Sequence, residues 1–254
     1  MSSELSLVIP ALNEENRLRP TLESYLSALE ARRSPFEIII VADGCSDKTV
    51  EVANSFAERS VSVLEYQERR GKGGAVLDGI KAARHSIVGF VDADGSILPS
   101  ELLKLVDALD RFDGAIASRW LDGSNARFQQ PPERVIASRT WNLLVRTMLS
   151  LPYKDTQCGG KVFKRDAIMP VLNAVALTNW AFDVSLLYHL SKSGCKVKEI
   201  PINWVQSYGS RMRLPKEIPV MFFSLIGIRI MSSPAKSMVP RRGVEWFLQK
   251  WGRT

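Results

Sequence analysis

Residues 87–96 read Ile87-Val88-Gly89-Phe90-Val91-Asp92-Ala93-Asp94-Gly95-Ser96, an apolar run that stops at two carboxylates one residue apart. A short, nearly unbroken apolar run fits a strand buried on both faces. The strand expected here is Ser86–Val91, and four more runs of the same kind lie at Leu5–Pro10, Phe36–Ala42, Val61–Glu65 and Gly114–Ser118. Between them, helical periodicity covers Glu15–Arg32, Asp47–Arg59, Gly73–Arg84 and Pro99–Arg111. Strands alternating with helices predict an α/β protein with a parallel sheet covered by helices on both faces. Ligands of such sheets sit outside the carboxyl ends of the strands. The turns there are polar: Pro10-Ala11-Leu12-Asn13-Glu14-Glu15, Asp43-Gly44-Cys45-Ser46-Asp47 and Asp92-Ala93-Asp94.

At 254 residues, 45% hydrophobic and 24% charged, the chain has the usage of a soluble globular protein with a sizeable core. Cys45, Cys158 and Cys195 are odd in number and lack metal-ligand spacing. Neither a disulfide framework nor a zinc site is expected, and a reducing compartment is. The N-terminal MSSELSLVIP has no basic stretch before an apolar run, so no signal peptide is expected. Residues 207–254 hold nine Lys/Arg against Glu217 and Glu245, so this tail carries the whole net charge of +7. Such a tail suits an anionic surface or solvation alone.

Asp92 and Asp94, if extended, point to the same side and face one ligand together. Two hard oxygen donors suit Mg²⁺ or Mn²⁺, whose remaining ligands come from phosphate and water. The alternative is a helix cap and a solvated carboxylate ahead of the helix at Pro99. Lys72-Gly73-Gly74 opens the preceding helix, where free amides and a lysine favour phosphate. The first turn has no glycine, which excludes the dinucleotide fingerprint. Leu121–Pro132 has the composition of a loop and is a lid candidate. Cys158 reads as a buried packing residue.

The segments LVIPALNEE (7–15), IIIVADGCSDKT (38–49), RGKGGAVLDGI (70–80) and FVDADGS (90–96) resemble, in order and spacing, family 2 glycosyltransferases of the GT-A fold. With DTQCGGKVF (155–163), WAFD (180–183) and GSR (209–211), the chain is similar to the polyprenyl-phosphate sugar synthases, nearest the dolichyl-phosphate β-glucosyltransferase branch. The resemblance covers about residues 4–230. It implies a mixed, mainly parallel GT-A sheet, with residues 1–206 as the catalytic domain and 207–254 as a basic amphipathic C-terminal segment at a membrane interface. By the same resemblance Pro10, Leu12, Asn13, Glu14 and Asp43 hold the nucleoside, Lys72 and Gly73 make a strand-edge contact to nucleotide or phosphate, and Asp92, Ala93 and Asp94 form the metal-binding D-x-D element. Arg119, Arg134, Ser138 and Arg211 are implied for the phosphate of the acceptor lipid. Asp155 is the candidate carboxylate at the anomeric carbon and Asp183 the runner-up; for Asp155 a loop cap is the alternative, and for the arginines ordinary pairing with nearby acids. Two departures matter. Where the family usually has two acids this chain has Ala42-Asp43, and no Arg precedes the G-x-S element in Trp204-Val205-Gln206-Ser207-Tyr208, which favours the glucosyl over the mannosyl branch.

The expected function is thus a metal-dependent, inverting hexosyltransferase moving glucose from a UDP-sugar to a polyprenyl or dolichyl phosphate. Its rivals are GDP-mannose as donor, a glycan acceptor, or a nucleotide-sugar-binding module without catalysis. No Q-x-x-R-W element of glycan polymerases is present, and few aromatics interleave the basic tail, so no nucleic acid is expected. No run of 18 apolar residues exists; Ile218–Ile228 is too short to span a bilayer. Val244, Phe247, Leu248 and Trp251 recur at helical spacing among Arg241, Arg242, Lys250 and Arg253. That pattern fits a basic amphipathic helix on a membrane surface, or one packed on the sheet or on a second subunit of a homo-oligomer. A peripheral enzyme on the cytoplasmic face is expected.

Overall fold

The structure, a computed structural model, describes residues 4–125, 131–175, 181–206 and 214–231. In chain order the elements are β1 (Leu5–Ala11), α1 (Glu15–Ala31), β2 (Phe36–Asp43), α2 (Thr49–Asn54), β3 (Val61–Tyr66), α3 (Gly71–Ala82), β4 (Ile87–Phe90), α4 (Pro99–Asp107), β5 (Gly114–Ser118), α5 (Pro132–Leu149), β6 (Lys161–Lys164), α6 (Arg165–Ile168), α7 (Phe182–Lys192), β7 (Val197–Pro201) and α8 (Leu214–Met231). The seven strands form one sheet in the order β3-β2-β1-β4-β6-β5-β7. All pairings are parallel except those of β6, which runs antiparallel to both β4 and β5.

Alternation along the strands explains the two layers. Leu5, Leu7 and Ile9 of β1 with Ile38 and Ile40 of β2 pack under Leu18, Leu22, Leu26 of α1 and Leu102, Leu105 of α4. Val8, Ile39, Val41 and Phe90 point the other way, into a cluster with Val76 and Ile80 of α3 and Val184, Leu187 of α7. Each such fully buried side chain contributes about 1.5–3 kcal/mol of transfer free energy. Leu225 and Ile228 of α8 join the second cluster beside Val145 and Leu149 of α5.

Two features of register shape the functional edge. In the parallel pairing, β1 ends with Ala11 beside Ala42, but β4 stops with Phe90 beside Val8, three residues short of that end. A notch opens at the carboxyl end of β4, next to the point where the chain order reverses between β1 and β4. Because β6 is antiparallel, its first residue, Lys161, pairs with Phe90. The loop leading into β6 therefore arrives at the same edge.

The second helix is shorter than expected: Asp47–Arg59 is helical only over Thr49–Asn54, and the chain turns out of it before Ser60, whose φ is +60°. Most of the basic tail, from Ser232 on, lies outside the described residues, as do Arg211 and part of the lid candidate. No helix among the described residues is long and apolar enough to cross a membrane.

Candidate active site

The notch is filled by the turn Asp92-Ala93-Asp94-Gly95, which is not extended as expected. Gly95 has φ +71°, a conformation glycine adopts without strain. Both carboxylates stay close enough to Lys72 to raise its pKa, Asp92 first and Asp94 last among the causes. Helix α1 pins the turn: the Thr21 hydroxyl donates to the Ala93 carbonyl (3.1 Å) and the Tyr25 hydroxyl to the Ile97 carbonyl (2.7 Å). Burial first, then the charges of Asp92 and Asp94, push the Tyr25 hydroxyl pKa up, so it stays a donor.

Asp92 faces α3 and the loop before β6. It is paired with Lys72 Nζ at 2.6 Å, and a Cβ built on Gly159 would strike its Oδ2. Burial alone would raise the Asp92 pKa; Lys72, followed by Lys161 and Arg119, outweighs it and holds the carboxyl below the ordinary range. For Lys72, burial opposes the charge, but Asp92 and then Asp183 raise its pKa above the usual value. Asp94 is turned toward α1. Its Oδ1 accepts the Ser96 N–H (2.9 Å), and it lines a cavity of roughly 520 Å³ with Asn16, Arg17, Thr21 and Ser24.

Two further ion pairs stand beside Asp92. Asp155 is fully buried, and its oxygens accept the Arg119 backbone N–H (3.0 Å), Nε (2.7 Å) and Nη2 (3.0 Å), with the Gln157 N–H at 3.2 Å. Burial would raise its pKa, but Arg119 overrides this and holds it low. The candidate carboxylate at the anomeric carbon is here bonded to Arg119. Arg119 keeps Nη1 without a hydrogen-bond partner among the described residues. Asp183, in the first turn of α7, accepts from Lys161 Nζ at 2.7 Å; Lys161 also donates to the Cys158 carbonyl (2.6 Å) and is fully buried. The Cys158 thiol is itself buried, its pKa pushed up to about 12 chiefly by that burial.

The β1 and β2 turns form the other flank. Asn13, at φ +54°, accepts the Ser46 N–H (2.7 Å), and the Glu14 N–H donates to Thr49 Oγ1. The Glu14 carboxylate is held by Arg17 through two bonds of 2.6 Å. Asp43 is buried and accepts the Arg70 N–H. Pro10 pairs with Val41 within the sheet, and Leu12 follows its end. Lys72 and Gly73 lie in the first turn of α3, not on a strand edge: Gly73 is buried, and a Cβ there would lie 2.6 Å from Phe182 Cβ.

On the side of β5, Ser138 of α5 accepts the Trp120 Nε1–H (3.1 Å), next to Arg119, and Arg134 lies in the first turns of α5. The structure thus brings Lys72, Asp92, Arg119, Asp155 and Asp183 into one charged cluster. Sequence reasoning assigned no role to Lys161, Thr21, Tyr25 or Trp120. The first sits inside the quoted DTQCGGKVF run, but the others carry no signal beyond helix periodicity and a strand end.

In formal charge, Lys72, Arg119 and Lys161 face Asp92, Asp94, Asp155 and Asp183, which leaves one net negative charge. Asp94 Oδ2 has no hydrogen-bond partner among the described residues. Among these residues no group of three His, Cys, Asp or Glu could enclose a metal ion by itself. Two carboxylates with oxygens at an open notch fit a divalent cation completed by phosphate and water.

The fold and the notch define an α/β protein of GT-A type, with its polar residues gathered at the carboxyl edge of a doubly covered sheet. The chain belongs to glycosyl transferase family 2, whose family model matches residues 6–172. It is 34% identical over 231 residues to the dolichyl-phosphate beta-glucosyltransferase of Drosophila melanogaster, covering 83% of this chain and 70% of that one. The Homo sapiens enzyme of the same name is 32% identical, again over 83% and 70%. Glycosyltransferase AglD of Haloferax volcanii is 33% identical over 85% of this chain, which spans only 35% of that protein. Among solved structures, glucosyl-3-phosphoglycerate synthase from Mycobacterium tuberculosis, crystallised with Mn²⁺, UDP and phosphoglyceric acid, superposes with a TM-score of 0.65 at 18% identity, over 90% of this chain and 78% of that one. The same synthase has been crystallised with UDP-glucose.

Proposed function

We propose that this protein transfers glucose from UDP-glucose to the phosphate of a polyprenyl or dolichyl carrier, with inversion at the anomeric carbon, as a peripheral enzyme on the cytoplasmic face of a membrane. One observation carries the reading. At the sheet's notch Asp92 stands between two fixed cations, Lys72 of α3 and Arg119 at the end of β5, with Asp94 two residues on in the same turn. The names of the relatives, and the UDP-glucose and Mn²⁺ of the structural neighbour, support the donor and the metal.

Mg²⁺ or Mn²⁺ held by Asp92 and Asp94 would neutralise charge on the departing diphosphate. The residues of the chain do the rest. Lys72 steadies Asp92 and offers charge toward the donor phosphates. Pro10, Leu12, Asn13, Glu14 and Asp43 shape the nucleoside side, with Gly73 and Ala93 as backbone around it. Arg119, through the Nη1 edge that Asp155 leaves open, presents the carrier phosphate, with Arg134 and Ser138 of α5 in the proposed acceptor site; Arg211, outside the described residues, is assigned to the same phosphate by the resemblance alone. A phosphate oxygen forms the new bond to the anomeric carbon while the bond to the β-phosphate oxygen breaks, and UDP leaves with the electron pair. A phosphate monoester has its second pKa near ~6, so the nucleophile is largely ionised at neutral pH and no strong base is required. Asp155 and Asp183 then act as positioning residues, holding Arg119 and Lys161 rather than taking a proton.

The test is incubation of the purified protein with radiolabelled UDP-glucose, a short polyprenyl phosphate and Mn²⁺. Label extracted into organic solvent, lost on chelation and not obtained from GDP-mannose, is expected. Release of free glucose alone, or label confined to a water-soluble product, contradicts the assignment.

A further inference from the structure

The loop ahead of β6 is held by side chains from elsewhere in the fold. Three consecutive backbone N–H groups donate to two other elements: Lys154 N–H to Glu199 Oε2 (2.9 Å), Asp155 N–H to Glu199 Oε1 (2.7 Å) and Thr156 N–H to Asn142 Oδ1 (3.0 Å). Backbone donors of a covered loop need partners, and here β7 and α5 supply them. Glu199 is half-buried on β7, the edge strand that pairs with β5. It spends its two oxygens on successive residues of the loop. The Ser118 side chain, at the end of β5, hydrogen-bonds it as well. One carboxylate therefore grips the backbone of Asp155 and the residue just before Arg119, at both ends of the buried Arg119–Asp155 pair.

We propose that Glu199 is a positioning residue of the acceptor side: from the edge strand it fixes the Asp155 backbone and, through the Asp155 carboxylate, aims the Arg119 guanidinium. The proposal rests on the reading of Arg119 above as the group that presents the carrier phosphate.

Acceptor chemistry is the first argument. Two N–H groups side by side need two acceptor oxygens, which a carboxylate has; a glutamine has one, and its NH₂ would oppose the second N–H. The second argument is what the carboxylate does not do. Burial, first, and the Asp155 charge push the Glu199 pKa up, although the bonds from Lys154, Ser118 and Asp155 pull it down. An acid whose folded-state pKa lies above its ordinary value is less stable ionised in the fold than in the unfolded chain, so at neutral pH Glu199 does not hold its charge for stability. Nor does a second acid behind Asp155 help to attract an anionic carrier. Geometry remains. An arginine fork binds phosphate by two parallel bonds only when its plane is aimed. The Asp155 carboxylate sets that plane by accepting from the Arg119 backbone N–H, Nε and Nη2 together, and it can do so only while its own backbone is fixed.

The experiment uses the full chain with UDP-glucose, Mn²⁺ and a short polyprenyl phosphate. Glu199→Gln is expected to lower kcat/KM toward the carrier by about ten- to a hundredfold, with the KM for UDP-glucose and the binding of Mn²⁺ with UDP unchanged. In an Arg119→Ala background the same substitution should change nothing further, because the two residues act as one unit. Ser118→Ala removes the third bond at a small buried site and should show a weaker form of the same selective loss, which keeps the test open if Glu199→Gln fails to fold. A second arm needs no substrate: backbone hydrogen exchange should speed up in Glu199→Gln both at residues 154–155 and at the Arg119 N–H, which donates to Asp155. Equal losses toward donor and carrier, a lower KM for the carrier as mere removal of a negative charge would give, additive effects with Arg119→Ala, or exchange that rises at residues 154–155 alone would each overturn the proposal. Absence of transfer to any carrier by the wild type would remove the acceptor assignment, while the exchange arm still decides whether Glu199 holds Arg119.

Discussion

Asp155 has no exposed surface and four N–H donors on its two oxygens, three of them from Arg119. Truncating one member of such a buried pair leaves the other uncompensated, at a cost of about 3–5 kcal/mol. Asp155→Asn should therefore lower the melting temperature at neutral pH. The pH dependence has a definite sign: the folded-state pKa is depressed, so the stabilisation is complete above the unfolded value of about 4 and is lost as pH falls through the lower folded value. Melting followed from pH 7 down to about pH 3 should show the variant's deficit shrinking in acid; a deficit that stays constant would contradict the pairing. At this scale the sequence displayed the acids but not their partners. Lys72 with Asp92, Arg119 with Asp155 and Lys161 with Asp183 are 20 to 36 positions apart, beyond any local pattern. A carboxylate in a motif reads the same whether it is open to substrate or spent on an arginine.

Among the elements, α1 does more than cover the sheet. Its Thr21 hydroxyl reaches the Ala93 carbonyl and its Tyr25 hydroxyl the Ile97 carbonyl, so one helix fixes both ends of the acidic turn. Thr21→Val keeps the shape and deletes the bond, at about 1 kcal/mol. We expect a small drop in melting temperature with a clearly raised Mn²⁺ requirement, restored by Thr21→Ser; a normal metal requirement would show that the turn holds itself. Gly73→Ala places a methyl on Phe182 and should cost about 1–3 kcal/mol through displaced packing between α3 and α7, read as a lower denaturation midpoint. Of the five strands found from apolar runs, β1, β2, β4 and β5 match because both faces are buried, which erases alternation and leaves a legible block, while β3 lies at the sheet edge with Ser62 and Glu65 exposed. Strands β6 and β7 escaped because they are short and carry Lys161, Lys164, Lys198 and Glu199, so no apolar run marks them. The bonds from α1 that hold the acidic turn were not legible, because Thr21 and Tyr25 lie 72 positions from the carbonyls they bond.

For the molecule as a whole, α8 is not an appendage. Leu225 is fully buried in the same cluster as Val145 of α5 and Leu187 of α7. Leu225→Ala should cost about 2–5 kcal/mol, several degrees in Tm, whereas Phe223→Ala on the exposed side should leave Tm nearly unchanged. Equal effects would place α8 off the core. The doubly covered sheet and its functional edge were legible in the sequence because strand–helix alternation and polar turns after each strand encode them directly. The packing of α8 was not, since an apolar helix reads alike beside a core and beside a membrane. The central claim remains the acid pair at the notch as the seat of a divalent cation completed by a nucleotide diphosphate. Its most direct test is the electron paramagnetic resonance signal of free Mn²⁺ titrated with protein in the presence of UDP. The wild type should suppress the signal and Asp94→Asn should leave it near the protein-free level, with melting temperatures alike; equal suppression by both proteins would contradict the account.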